Sequence, residues 1–307
     1  MSDSNNISIV VPVFNPGETW HDWLEAVGSQ SARFFTKVVI DSSSTDGCVG
    51  ECTEYGFDVI VIPTDDFDHG TTRQLALKYV KESDVVVFLT QDAILSDSDS
   101  IRSLVKSFED ERVAIVYGRQ LPRRNAAPIE AHARLFNYPD EGHVYGIEDK
   151  DLYGLKAAFN SNSFSAYRVS VLKKIGGFKA GIIFGEDMLV AANVLKSGYR
   201  VAYCHSACVY HSHDYSLKQE FQRYFDMGVM HEDQYWLLAD FGKPTGEGFR
   251  FVKSELSYLL KHSPQYIPRA MFGVLMKYLG YRVGRLHKIF PLWIKRRLSM
   301  NKRYWFN

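Results

Sequence analysis

Short apolar segments alternate with stretches of helical spacing through the first third of the chain, and this alternation restricts the fold more than any other feature. Segments rich in β-branched residues occupy residues 7–13, 37–40, 59–62 and 85–89. They are apolar almost throughout rather than at every second position, which is typical of strands buried on both faces of a parallel sheet. The helical stretches between them provide the crossovers that parallel strands need. The sequence therefore predicts an α/β fold with a mostly parallel sheet flanked by helices.

The fourth apolar segment ends in a polar corner that contains one acid, Asp92. Ligands of open α/β sheets bind outside the carboxyl ends of the strands, so a carboxylate at this point is placed to meet a ligand. An aspartate that caps a helix or forms a turn would occupy the same kind of position. The residue pattern alone leaves both interpretations open.

Several classes of protein lack support in the sequence. No Gly-x-Gly-x-x-Gly follows the first apolar segment and no Gly-x4-Gly-Lys-Ser/Thr occurs, which argues against a dinucleotide-dependent oxidoreductase and a P-loop NTPase. The first six residues are polar and contain no signal peptide, and no run of about 20 apolar residues would span a membrane. With 307 residues and 46% hydrophobic content, the chain can bury a large core. Together these features predict a cytoplasmic protein.

The net charge of zero conceals a basic C-terminal region. Residues 256–307 contain 11 Lys and Arg and no Asp or Glu, whereas residues 1–255 contain 25 basic and 36 acidic residues. Apolar, aromatic and basic residues interleave at helical spacing from residue 271 onward, which is typical of a helix lying on an anionic membrane surface. Helices that simply pack on the rest of the protein are the alternative. Nothing in the region resembles a nucleic-acid-reading motif, so no nucleic acid is expected as a partner.

Five short motifs occur in a fixed order over roughly residues 5–215. They are VVPVFN at 10–15, IDSSSTDG at 40–47, GTTR at 70–73, LTQDA at 89–93 and GED at 185–187. In this order and spacing the chain resembles the inverting family 2 glycosyltransferases, whose GT-A fold is Rossmann-like with a mostly parallel sheet. Residues 68–73 and 90–93 look most like the rhamnosyltransferases that build O-antigen and other cell-surface polysaccharides.

The resemblance implies a catalytic domain over residues 1–215 and a helical, basic extension over residues 216–307. It also implies transfer of rhamnose from dTDP-rhamnose to a polyprenyl-diphosphate-linked glycan, at the cytoplasmic face of the plasma membrane. A transferase that uses another donor, such as a UDP-hexose, is one alternative. A non-catalytic nucleotide-sugar-binding protein is another, supported by the scarcity of acids in the motif around Asp92.

The resemblance further implies a divalent metal site. Asp92 stands where the family's Asp-x-Asp motif ends, and an oxygen ligand there suits Mg²⁺ or Mn²⁺ bound to the donor diphosphate. Thr90 and Gln91 replace the further acids of the usual motif. His211 is the expected second ligand, with His213 as a less favoured candidate. A histidine satisfied by hydrogen bonds within its loop is the alternative for both.

Asp187 is the expected general base, which would remove the proton of the acceptor hydroxyl. At the start of a helix, an aspartate that only caps the helix is the alternative. The other expected contacts are assigned by resemblance. Pro12, Val13 and Asn15 would line the nucleoside pocket and Asp41 the nucleobase edge. Arg73 and Asp92 would lie at the diphosphate, Asp68 and His69 at the donor sugar, and Gln91 elsewhere in the donor site. Asn160 and Asn162 would bind sugar or acceptor hydroxyls, with a structural role as the alternative, and Glu186 would orient the acceptor or its own loop.

The local pattern is least clear in the second half of this domain. Residues 119–153 lose regular periodicity and predict loop and short helix over the site. Residues 160–167 predict a short strand, and residues 201–203 and 207–210 predict two more. Helices are predicted over 169–175 and 188–197, and from residue 217 onward.

Overall fold

A computed structural model describes residues 6–242 and 246–306. Their strands form one nine-stranded sheet. The strands are β1 Ile7–Val13, β2 Phe34–Asp41, β3 Asp58–Val61, β4 Val85–Leu89, β5 Ile94–Leu95, β6 Val113–Leu121, β7 His143–Tyr145, β8 Phe164–Arg168 and β9 Arg200–Tyr210.

The strand order is β3-β2-β1-β4-β8-β6-β9-β5, and β7 pairs with β9. Strands β3, β2, β1 and β4 are mutually parallel, as predicted. Strand β8 is antiparallel to both β4 and β6, and β9 is parallel to β6. As a result β1, β2, β3, β4, β6 and β9 all run in the same direction, and their carboxyl ends meet at one edge of the sheet.

Helices cover both faces of this sheet. They are α1 Trp20–Gly28, α2 Cys48–Glu54, α3 His69–Ala76, α4 Ser100–Lys106, α5 Pro128–Asn137, α6 Lys150–Tyr153, α7 Val169–Lys174, α8 Glu186–Lys196, α9 Leu217–Asp233, α10 Trp236–Phe241, α11 Glu247–His262, α12 Ile267–Arg285 and α13 Leu292–Leu298. Side chains of β4 alternate between two cores: Val86 and Phe88 pack on the side of α3, α8 and α9, and Val87 and Leu89 on the side of α1, α2 and α4. This two-sided burial explains why the strand is apolar throughout.

The C-terminal helices share a core with the sheet. Phe225 and Val229 of α9 belong to the same buried cluster as Val10 of β1 and Phe88 of β4. Helix α12 packs tightly on α9 through glycines: a Cβ on Gly280 would lie 2.3 Å from the Phe221 carbonyl oxygen. No helix in the described part of the chain has the length and hydropathy required to cross a bilayer.

Two predictions about local structure were wrong in detail. Residues 119–153 are not loop and short helix alone, because β6 continues to Leu121 and is followed by α5 and by β7, which pairs with β9. The two strands predicted over 201–210 are the single strand β9, whose pairing with β6 shifts between Cys204 and Cys208. The exposed residues in that shift made one bulged strand look like two.

Candidate active site

The candidate site lies at the edge where the parallel strands end. Ser42 follows β2, Asp92 lies three residues beyond β4, Gln120 lies near the end of β6 and His211 directly follows β9. The amino end of β8 meets the same edge, since Thr90 N–H donates to the Ser163 carbonyl at 3.3 Å. The topology therefore brings together residues that are up to 170 positions apart in the sequence.

Three side chains converge on a possible cation position. The Asp92 carboxylate lies 3.4 Å from His211 Nε2 and 3.3 Å from His213 Nε2, and the two Nε2 atoms are 3.1 Å apart. All three ligand atoms lie within 4.8 Å of one another. One carboxylate oxygen and two imidazole nitrogens form a suitable donor set for a divalent ion such as Mn²⁺.

Hydrogen bonds orient His211 for this role. Its Nδ1 lies 3.0 Å from Gln120 Oε1, and that oxygen also accepts a hydrogen bond from Arg134 Nη1 at 2.7 Å. An arginine can only donate, so the Gln120 atom is the amide oxygen and Nδ1 of His211 must carry a proton to donate to it. Because Nδ1 is engaged by Gln120, Nε2 is the ring nitrogen that faces Asp92 and would bind a metal.

The charges of the cluster suit a cation as well. Burial would raise the pKa of Asp92, but hydrogen bonding and charge from His211, with a further contribution from His213, hold that pKa below its usual range. Burial lowers the pKa of His213 to about 4, so this imidazole is neutral near pH 7. Near pH 7 the cluster thus includes an anionic carboxylate and the neutral imidazole of His213.

Asp187 is held at the start of α8. Gly185 precedes the helix with φ of +75°, a left-handed conformation that side-chain-bearing residues rarely adopt. The Asp187 carboxylate accepts hydrogen bonds from Asn162 N–H at 3.0 Å and from Met188 N–H at 2.8 Å. Asn162 lies just before β8, at the same sheet edge as Asp92. Burial, reinforced by the charge of Glu186, raises the pKa of Asp187, so the half-buried carboxylate is a stronger base than an ordinary aspartate.

A buried ion pair lies beside this carboxylate. Arg73 Nη1 is 2.8 Å from Glu186 Oε1, and the two side chains are 3% and 8% exposed. Arg73 also donates to the His69 carbonyl at 3.2 Å, and the Asn162 amide donates to Glu186 at 3.1 Å. Glu186 therefore neutralises the charge of Arg73 that was expected to meet a diphosphate.

A cavity of about 680 Å³ opens beside Asp92. Its wall combines motif residues with the end of the chain: Pro12, Val13, Phe14, Ser42, Phe67, His69, Arg73, Thr90, Gln91, Asp92, Met300, Asn301, Lys302 and Arg303. Six of the nine expected donor contacts line this cavity, namely Pro12, Val13, His69, Arg73, Gln91 and Asp92.

The other three expected donor contacts hold loops. Asp41 is 2% exposed, and its carboxylate accepts hydrogen bonds from Ser44 N–H. The Asn15 side chain accepts one from Thr45 N–H at 2.8 Å, and Asp68 caps α3 by accepting from Thr71 N–H at 2.8 Å. The Asp41 carboxylate is thus engaged by its own loop, and the neighbouring Ser42 lines the cavity, while contact of Asp41 with a nucleobase stays a prediction.

Gln91, although it lines the cavity, also bridges two strand ends. Its amide oxygen accepts from Phe14 N–H at 2.7 Å, and its amide nitrogen donates to the Phe14 carbonyl at 3.1 Å. Both polar atoms of the Gln91 amide form hydrogen bonds with the main chain of Phe14, as the main chain of a neighbouring strand would. The residue that replaces an acid of the usual motif therefore fixes the end of β1 against the end of β4.

The three expected acceptor contacts are all buried. Asn160 donates to Tyr167 Oη at 2.6 Å, and the Asn162 amide oxygen accepts from Ser165 and Tyr167. Glu186 pairs with Arg73. These contacts make Asn162 and Glu186 supports of the Asp187 loop, and contact with the acceptor stays a prediction.

Sequence reasoning missed several residues of the site. Gln120 lay in the stretch interpreted as loop, although the apolar run at 113–117 shortly before it was a usable signal. Arg123, which donates to the Asp92 carbonyl at 2.7 Å, lies in the same stretch and was assigned no role. The wall formed by residues 300–303 had no local signal, because it depends on how the last helices pack.

Comparison with known proteins identifies the family of the chain. The sequence profile described as Glycosyl transferase family 2 matches residues 8–176, more than half of the chain. The chain belongs to this family. It is therefore a glycosyltransferase, as the ordered motifs predicted.

Two relatives match nearly the whole chain. The O-antigen chain rhamnosyltransferase WbaN of Salmonella anatum is 45% identical over 98% of this chain and 96% of its own length. The O-antigen chain rhamnosyltransferase RfbN of Salmonella typhimurium has the same identity and coverage. Among solved structures, the mannosyltransferase PcManGT of Pyrobaculum calidifontis, in complex with GDP-Man and Mn²⁺, matches with a TM-score of 0.58 at 17% identity, over 98% of this chain and 85% of its own. The predicted GT-A fold is confirmed.

Proposed function

We propose that this glycosyltransferase is metal-dependent and inverting, and that it transfers rhamnose from dTDP-rhamnose to a lipid-linked glycan in O-antigen synthesis. The observation that carries the proposal is the 45% identity to O-antigen chain rhamnosyltransferases over almost the full length of both chains. Structural support for the proposal comes from Asp92, His211 and His213, which converge beside the cavity.

In the proposed reaction the nucleotide donor occupies the cavity, with its diphosphate near Asp92 and the two histidines. Bound there, a divalent cation would neutralise the charge that develops on the departing diphosphate. Asp187 accepts the proton of the acceptor hydroxyl as that oxygen forms a bond to the anomeric carbon. The bond from the anomeric carbon to the phosphate oxygen breaks, and the nucleoside diphosphate leaves. Attack from the face opposite the phosphate inverts the anomeric configuration.

A screen of nucleotide sugars tests the donor. With Mn²⁺ present, dTDP-rhamnose is expected to raise the melting temperature more than UDP-glucose or GDP-mannose, because at equal concentration the ligand with the lower dissociation constant stabilises the folded protein more. Release of dTDP in the presence of membrane glycolipids is the matching turnover assay. Greater stabilisation and turnover with a UDP-hexose would replace the rhamnose assignment. Binding without any turnover would favour a non-catalytic protein.

The metal proposal predicts loss of Mn²⁺ affinity in Asp92→Asn and in His211→Gln. Each substitution removes a ligand, so the loss is expected to exceed the roughly 10-fold cost typical of losing an outer partner of a ligand. Titration of Mn²⁺ followed by electron paramagnetic resonance measures this without any turnover. His205→Gln, an exposed histidine on β9, is the matched control. Unchanged Mn²⁺ binding in both ligand variants would contradict the site.

The proposal includes attachment to an anionic membrane surface through the C-terminal helices. The outer side of α12 and the segment after it expose apolar side chains, namely Met271, Phe272, Leu275, Tyr278, Leu279, Leu286, Ile289, Leu292 and Trp293. The exposed cations Arg282 and Arg297 lie among them. Other basic residues of the region pair with acids of α9, such as Arg285 with Glu232 at 3.0 Å, so only part of the basic charge is available to lipid.

Flotation with liposomes tests this surface. Ile289→Glu/Trp293→Glu is expected to abolish binding to vesicles with anionic lipid, because two exposed apolar side chains are replaced by charges that the surface repels. Leu152→Glu is the matched control, since Leu152 is 76% exposed on α6. Equal flotation of the double variant and the wild type would contradict the membrane proposal and leave the donor chemistry untouched.

A further inference from the structure

The last residues of the chain form one wall of the donor cavity. Met300, Asn301, Lys302 and Arg303 line it together with motif residues from β1, α3 and the loop after β4. Lys302 and Asp92 lie 210 positions apart in the sequence. A segment whose sequence suggested only membrane attachment is thus part of the nucleotide site.

Buried contacts hold this segment, residues 299–306, in place. Asp226 of α9 accepts hydrogen bonds through Oδ2 from Met300 N–H at 3.0 Å and Asn301 N–H at 2.9 Å. Ser299 is fully buried, and the Gln222 amide donates to its carbonyl at 3.3 Å. Beyond the cavity wall, Trp305 is 8% exposed and belongs to the main core cluster. The wall is therefore fixed at both ends.

The same segment also contacts the loops around the cavity. The Asn301 side chain donates to the Ile183 carbonyl, just before the Asp187 loop, at 3.2 Å. Arg303 Nη1 donates to the Thr64 carbonyl at 2.7 Å, and the Thr64 hydroxyl donates to the Ser42 carbonyl at the end of β2. Residues 301–303 therefore connect the segment before Asp187 with the loop after β2.

Charge balance in the cavity singles out Lys302. The diphosphate of a nucleotide sugar carries negative charge, yet the motif cation Arg73 is neutralised by Glu186. Among the described residues, no carboxylate lies within 4.0 Å of the exposed Lys302 ammonium, and Arg303 is directed in part to a main-chain carbonyl. Lys302 is thus a cavity cation with its charge free for a ligand.

We infer that the Lys302 ammonium binds the diphosphate of the nucleotide donor and of the nucleoside diphosphate product, on a wall that residues 299–306 build. The inference rests on the proposed function, since it requires a nucleotide in the cavity. Lysine suits the task because its ammonium is a compact cation with three donors that can follow the phosphate oxygens. Lys302 supplies uncompensated positive charge for the diphosphate, whereas the charge of Arg73 is neutralised by Glu186.

Calorimetric titration of the full-length protein with dTDP and with dTMP, both with Mn²⁺, tests the inference. Lys302→Met is expected to weaken dTDP binding by about 10-fold, the scale of one lost charge-assisted hydrogen bond, and to weaken dTMP binding less because the second phosphate is missing. The loss should shrink at high salt, which screens an exposed ammonium. Lys302→Arg, which keeps the charge, is expected to retain most of the affinity.

Lys106→Met is the matched control, because Lys106 is an exposed lysine on α4, away from the cavity. The melting temperature of Lys302→Met should equal that of the wild type, which separates ligand binding from a structural role. Equal dTDP affinity in wild type and Lys302→Met would overturn the inference while the proposed function stands. Failure of the wild type to bind dTDP, UDP or GDP at all would overturn both.

Discussion

Replacing Asp187 with asparagine is expected to lower the rate of glycosyl transfer by about 10²–10⁴-fold, the usual contribution of a positioned general base. Asparagine has nearly the same shape and keeps an oxygen that accepts from Asn162 N–H or Met188 N–H, but it cannot take up the acceptor proton. The Asp187 carboxylate is held by both N–H groups and is not among the residues that line the donor cavity. Binding of the nucleoside diphosphate should therefore be unchanged, and calorimetry beside a transfer assay measures both quantities.

The pH profile makes this result specific to base catalysis. Burial, together with the charge of Glu186, raises the pKa of Asp187, and only the deprotonated carboxylate accepts a proton. The rate of the wild type should therefore fall as the pH drops through this raised pKa, at a higher pH than for an ordinary aspartate. Asp187→Asn should lack this acidic limb. Asp84→Asn, at the opposite edge of the sheet, is the control, and full activity of Asp187→Asn would refute the base assignment.

The core strands and the place of Asp92 could be predicted because their signals are local. A β-branched apolar run that is followed within three residues by an acid predicts a buried strand with a polar end, independently of the rest of the chain. The pairing of His211 with His213 was within reach for a similar reason. They lie two residues apart after β9, and an extended chain directs such side chains to the same side. The structure places both imidazoles against the Asp92 carboxylate, whereas the resemblance favoured His211 over His213.

Polar loop residues could not be assigned from spacing. Asp41, Asn15 and Asp68 follow strands or precede a helix, where a carboxylate or amide serves equally to bind a ligand or to satisfy main-chain N–H groups. In the structure all three satisfy their own loops. Lys302 was missed for the opposite reason. Its position depends on Asp226 holding the main chain of residues 300 and 301, a contact across about 75 residues that leaves no periodic trace.

The second large effect concerns the buried pair of Arg73 and Glu186. Arg73→Met is expected to lower the free energy of unfolding by about 3–5 kcal/mol, because it removes the cation from a buried carboxylate and leaves Glu186 beside the Asn162 amide, 3.1 Å away. Chemical denaturation measures this loss. Arg112→Met, which breaks an exposed pair with Asp110, should change the stability little.

A double substitution separates the charge of the pair from its packing. Arg73→Met/Glu186→Gln removes both buried charges and keeps an amide oxygen that can accept from Asn162, so it should be more stable than Arg73→Met alone. The pH profile offers a second measure, because Arg73 lowers and Glu186 raises the pKa of Asp187. Loss of Arg73 alone should move the acidic limb to higher pH, and the double variant should move it back. If the stability losses of the two single substitutions simply add and the acidic limb of the pH–rate profile does not shift, the two charges neither stabilise each other nor change the pKa of Asp187. Burial alone would then account for the raised pKa of Asp187.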